Sequence, residues 1–158
     1  MYKRQIQDVD AGLEAYSSPA FYMIPPIDAL MQNTIRINRS STADGIELYT
    51  TLAHEGYPGH LYQTVYSSLV CDTQTLPIRK LFSYGGYVEG WAYYTERISY
   101  EYAAQVLAEA EGSLGSSYPA ALLCTLLAQQ RDLQINLFCL LDLSLHYYGA
   151  EESELLRS

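Results

Sequence analysis

Pro58 interrupts a stretch of helical periodicity, and that interruption constrains the chain more than any other feature. Ile46, Tyr49, Leu52 and Ala53 recur at helical spacing before it, and Leu61, Val65 and Leu69 carry the stripe on after it. Between the two stripes runs His54-Glu55-Gly56-Tyr57-Pro58-Gly59-His60. Pro58 has no N–H to donate to the carbonyl of His54, as a continuous helix would require. Six residues of regular helix also rotate by about 240°, which would point the two imidazoles apart. Gly56 and Gly59 tolerate unusual backbone geometry, so a kink or bulge at Pro58-Gly59 can turn His60 back toward His54. The pattern predicts one helix from about residue 44 to 70, disturbed at Pro58-Gly59. Asp44, with Glu47 three residues on, supplies a capping-box start.

Two imidazoles flanking a carboxylate come close to the H-E-x-x-H zinc signature, in which two His bind Zn2+ and the Glu activates water. The spacing differs, because the second His follows the first by six residues instead of four. A zinc hydrolase needs three protein ligands, an open position for water and a base. His54 and His60 fit two ligands, and Glu55 fits the base. The third should be a carboxylate or imidazole on a following helix, where Glu89 is the best candidate. Glu96, two turns on, fits a hydrogen-bond acceptor behind a ligand His. Against this stands chance: two His and a Glu fall in one heptapeptide without any metal, and a lone Glu at a helix start often serves the helix dipole.

Periodicity organises the remaining chain. Residues 1–20 are polar and broken at Ser17-Ser18-Pro19, and read as an extended, loosely packed lead-in. Phe21-Tyr22-Met23-Ile24 reads as a short strand, and Thr34 to Asn38 alternates as a half-buried strand does. The pair fits a small hairpin or edge sheet, either structural or able to take extended peptide backbone by strand addition. Asp72 to Pro77 reads as a turn and Ser83 to Gly86 as a second break. A long helix is expected from Tyr87 to about Glu111, with Val88, Trp91, Thr95, Ile98 and Tyr102 on an apolar face. Glu89, Tyr93, Glu96 and Tyr100 form a polar stripe beside that face. Gly112 to Ser117 ends it. Pro119 opens a last helix to Tyr148, stopped by Gly149, with Arg131, Asp142 and His146 near one face. Residues 151–156 read as the start of a further helix.

The fold class expected is mainly α, a zincin-like helical domain with a small β-hairpin or edge sheet before the helix that carries the heptapeptide. At 158 residues it reads as a single domain, 1–158, and as a fragment of a longer protein. Nine basic against 18 acidic residues give a net charge of −9, which argues against nucleic acid as a partner. No apolar run approaches the roughly 20 residues of a membrane span. The N-terminus lacks the apolar core of a signal peptide, and the compartment stays open. Cys71, Cys124 and Cys139 make no C-x-x-C pair, and the latter two read as small buried residues. The 16 tyrosines suit a wet cleft, a surface covered by another domain, or sugar stacking.

The heptapeptide with Tyr62-Gln63 resembles the H-E-x-x-P-G-H-x-x-Q signature of the bacterial domain-of-unknown-function family 885. Glu89-Gly90-Trp91-Ala92-Tyr93-Tyr94-Thr95-Glu96-Arg97 resembles that family's E-G-W-A-x-Y-x-E-R block. Residues 18–22 and 142–149 look like its flanking segments. The resemblance implies a mostly helical, zinc-dependent peptidase-like protein, of which this chain is the C-terminal catalytic part. It implies one Zn2+ per chain on His54, His60 and Glu89, with Glu55 as base and a peptide as substrate. The chain departs from the family pattern at Ala150, where a Trp is common, and at Phe138, where a basic residue is common. His146, oriented by Asp142, or Tyr147 or Tyr148 beside it, would stabilise the oxyanion. A missing N-terminal part of the parent chain and self-association of the fragment are further partners to expect. A non-catalytic peptide- or glycan-binding module, with a structural or vestigial metal, is the alternative.

Overall fold

The computed structural model of the chain describes residues 3–26, 28–29, 31–43, 45–70, 82, 84–114 and 119–151. It divides into two compact units, Met1–Ala103 and Ala104–Ser158. The expected capping box at Asp44, the turn at 72–77 and the helix start at 152–156 lie outside the described residues.

The first unit begins with a three-stranded sheet of order β1-β3-β2, made by β1 (Lys3–Asp8), β2 (Ala20–Met23) and β3 (Gln32–Ile37). Strands β2 and β3 are the expected pair, antiparallel, with Tyr22 opposite Ile35. The lead-in expected over residues 1–20 is instead structured. Strand β1 pairs parallel with β3 from Lys3↔Gln32 to Asp8↔Ile37, and a 3-10 turn follows at Glu14–Tyr16. Asn38 is the reason this polar stretch holds its place. Its side-chain amide donates to the carbonyls of Glu14 (2.8 Å) and Ser17 (3.0 Å), and its oxygen accepts from Ser40 N (3.1 Å) and Oγ (2.9 Å). Buried Asn33 similarly accepts the Tyr22 hydroxyl at 2.7 Å. The sheet interior is thus held by satisfied polar side chains as well as by Val9 and Ala20.

Helices α1 (Gly45–Glu55) and α2 (His60–Val70) replace the single disturbed helix, since the chain breaks fully between Glu55 and His60. The break contains a cis Tyr57–Pro58 bond. Ala53, Leu61 and Val65 turn inward, as the stripe requires. Helix α3 (Gly85–Leu114) starts two residues earlier than the periodicity implied, because the Tyr84 carbonyl accepts from both Tyr87 and Val88 at 3.0 Å. Ala92, Thr95, Glu96, Ser99, Tyr100 and Ala103 are its buried face.

In the second unit α4 (Ala120–Asp142) starts behind Pro119, whose φ of −70° suits a helix entry. It continues as a π-helical turn, Leu143–Tyr147, with Tyr148 N bonded to Leu143 O at 3.0 Å. Gly149 stops it at φ 68°, the left-handed conformation that favours glycine. Cys124 and Ala128 are buried on α4, whereas Cys139, expected to be buried, is exposed. Among the described residues no helix is long and apolar enough to cross a membrane.

Candidate metal centre

Three donors converge at the break. His54 is next to last in α1, His60 opens α2, and Glu89 lies in the second turn of α3. Glu89 Oε2 stands 3.5 Å from His54 Nε2 and 3.5 Å from His60 Nε2. One ligand atom from each of the three residues falls within 4.8 Å of the others. The rings of His54 and His60 meet nearly at right angles, with centroids 4.7 Å apart. Ligand atoms about 2.0–2.2 Å from a tetrahedral Zn2+ stand roughly 3.3–3.6 Å from one another. The two nitrogen–oxygen separations are of that size, and two imidazoles with one carboxylate are zinc chemistry, so the residues fit the ion. Both imidazoles are largely shielded, while the Glu89 side chain is 65% exposed, so the donors face water on the carboxylate side.

Glu96 stands behind His54. Its Oε2 lies 2.9 Å from His54 Nδ1, and its side chain is 7% exposed. A proton on Nδ1 donated to this carboxylate leaves the Nε2 lone pair for a cation. Burial works to lower the His54 pKa. The Glu96 hydrogen bond, with the negative charges of Glu96, Glu55 and Glu89, more than offsets it and leaves the pKa above 6.5.

Glu55 follows His54 and turns toward the sheet, where its Oε2 accepts the backbone N–H of Tyr22 at 3.0 Å. Edge strand β2 therefore orients the Glu55 carboxylate through one oxygen. That bond also occupies the Tyr22 amide, so strand addition could not use it.

The two glycines of the motif serve a purpose different from the one expected. Neither has a positive φ. A Cβ on Gly59 would collide with the carbonyl oxygens of His54 and Ala53, and one on Gly56 would meet Leu52 O at 2.7 Å and Ile35 Cδ1 at 3.1 Å. They are glycines because the chain passes too close to itself for a side chain. Helix α3 also holds the break from outside. Trp91 Nε1 donates to Pro58 O at 2.8 Å, and Thr95 Oγ1 reaches Ala53 O at 3.1 Å and Ala92 O at 2.8 Å. Both residues read from sequence as members of an apolar stripe. An indole N–H and a hydroxyl on such a stripe were the signal that they have polar partners.

Aromatic rings cover the outer side of the break. Tyr62 contacts Tyr57 edge-on, stacks with Tyr66 and lies near Trp91, which in turn meets Tyr94. Tyr49, Tyr57, Trp91, Tyr94 and Tyr102 line a cavity of about 350 Å³ in the first unit. Asp142, His146 and Tyr147 belong to the second unit. There His146 Nε2 lies 3.6 Å from Asp142 Oδ1, one turn away, both exposed, and Tyr147 meets Tyr148 edge-on. Arg131, expected near that face, donates to Gln134 Oε1 at 3.0 Å.

The family model described as "Bacterial protein of unknown function (DUF885)" matches residues 3–149. Among solved structures the chain is similar to a candidate lipoprotein from Colwellia psychrerythraea, at 28% identity and a TM-score of 0.52. That match covers 63% of this chain and 17% of the other, so this chain corresponds to a minor part of that protein's length. No curated protein matches the chain.

Proposed function

The chain belongs to the DUF885 family of bacterial proteins of unknown function, and on that premise we propose that it is the metal-binding part of a zinc-dependent hydrolase, acting on peptide amide bonds. The observation that carries the proposal is the convergence of His54, His60 and Glu89, with Glu96 bonded behind His54.

When bound, Zn2+ supplies Lewis acidity, which polarises a carbonyl and makes water acidic near neutral pH. His54, His60 and Glu89 hold the ion, and Glu96 fixes the tautomer and tilt of His54. Glu55, oriented by the Tyr22 amide, takes the proton of the attacking water and returns it to the leaving amine. Elemental analysis should find about one Zn2+ per chain in the parent and none in His60→Ala. A parent with intact histidines and no zinc uptake refutes the proposal.

The alternative of a non-catalytic binding module draws on the exposed rings around Trp91, which suit peptide or glycan stacking. Glu55→Gln separates the two. It keeps zinc in both cases, abolishes peptide turnover in a hydrolase, and leaves ligand affinity unchanged in a binder.

A further inference from the structure

We propose that Trp91 and Thr95 are positioning residues for the metal centre, acting as a two-point clamp that sets where the His54–His60 break stands relative to Glu89. The assignment rests on the metal site proposed above and adds to it the part that fixes its dimensions.

The three donors come from three separate helices, and backbone hydrogen bonding within any one of them cannot set the distance between them. The break must therefore be tied to α3 by something else. Trp91 and Thr95 are four residues apart on α3, on one face and one turn from each other. Each reaches a carbonyl beside a histidine of the motif: Thr95, whose one hydroxyl proton is shared between Ala92 O of its own helix at 2.8 Å and Ala53 O at 3.1 Å, reaches the residue before His54, and Trp91 donates to the Pro58 oxygen, two residues before His60. Glu89 is carried on the same helix two residues before Trp91. A shift of the break along α3 would therefore change both clamp bonds and both 3.5 Å separations together. The same stretch of α3 carries Glu96 to His54 Nδ1, so the ring is held from behind by the helix that fixes its backbone.

The two clamp points differ in character. Ala53 and Thr95 are buried, and without the hydroxyl the Ala53 carbonyl would lose a partner that water could not readily replace. Pro58 is exposed, so water can take over from the indole. Losing the indole donor frees the position of the loop more than it costs in stability.

The test uses the full chain and three variants: Trp91→Phe, which keeps a ring without the donor, Thr95→Val, which keeps the shape without the hydroxyl, and Thr95→Ser, which restores it. Zinc dissociation constants come from chelator competition, and the visible bands of the Co2+-loaded protein report ligand geometry. Trp91→Phe and Thr95→Val are expected to weaken zinc about 10-fold or more and to shift the Co2+ bands. Thr95→Ser should match the parent. Folded Trp91→Phe and Thr95→Val with parental affinity and spectra overturn the clamp, even where their thermal midpoints fall, because a merely structural bond would do only that. Should Trp91→Phe not fold, the Thr95 pair decides. A parent that takes up no zinc fails before any variant is compared, which separates loss of the metal site from loss of the clamp alone.

Discussion

Replacing Gly59 by alanine adds one methyl group where the chain has no room for it. The new Cβ would run into two backbone carbonyl oxygens, those of Ala53 and His54. Neither can rotate away as a side chain could, so the break itself must move, on the order of 1 Å. Overpacking a filled site costs about 1–3 kcal/mol, and two rigid obstacles put this case near the top of the range, at about 3 kcal/mol. With a urea dependence of about 2 kcal/mol/M the midpoint should fall by about 1.5 M. The second consequence concerns the metal. His60 is the next residue, and zinc–ligand distances tolerate only about 0.2 Å, so the displacement should weaken zinc by about 100-fold. Gly90 provides the control, next to Glu89 in the same helix. A Cβ there meets nothing within 4 Å, so Gly90→Ala should keep zinc and gain about 0.5–1 kcal/mol from helix propensity. Urea unfolding of the metal-free proteins and chelator competition read both effects. A Gly59→Ala protein as stable and as zinc-avid as the parent would refute the close-approach explanation.

Glu96→Gln should weaken zinc by about 10–100-fold by removing the charged acceptor behind His54, measured by the same competition. A parental constant would show that the bond at 2.9 Å does not act on the metal. Asn38→Ala removes four hydrogen bonds that tie the 3-10 turn and the following loop together. It should cost about 2–3 kcal/mol in urea unfolding, and a loss below about 0.5 kcal/mol contradicts the role given to it. Tyr22 supplies a pH test: burial raises its phenol from 10.0 to about 12, with a Thr64 hydrogen bond pulling it partly back. The folded pKa lies above the unfolded one, so the stabilisation is complete below pH 10 and is lost as pH rises toward 12. Stability should decline over that window, and Tyr22→Phe should remove that part of the decline.

Much of the candidate site was legible because its residues announce themselves by type. His54, Glu55, His60, Glu89 and Glu96 are ligating or ionisable groups, and among the described residues His54, His60 and Glu89 stand close enough together that they could hold a cation. Helix positions followed from apolar periodicity, and the stop at Gly149 from the need for a left-handed residue. The misreadings share a cause. Strand β1 is polar and lacks a clear alternation, and its parallel pairing with β3 joins residues far apart in sequence. Asn33 and Asn38 read as ordinary polar residues, yet they are buried because their partners lie on other segments. Trp91 and Thr95 were counted by their apolar bodies, and their polar atoms found backbone carbonyls across the helix pair.

The amino-acid sequence by itself determined where the long helices and the β2–β3 pair form, where the helical run must be interrupted, and which side chains have the chemistry to bind a cation. Local forces decide these matters: the missing N–H of proline, the period of the apolar stripe, and the donor atoms of each residue type. Only the tertiary structure decided how the interruption is used. The chain closes on itself so tightly at Gly59 that no Cβ fits. Edge strand β2 aims the Glu55 carboxylate, and α3 brings Glu89 to 3.5 Å from each imidazole. Those distances are set by packing between segments distant in sequence, and no local pattern encodes them.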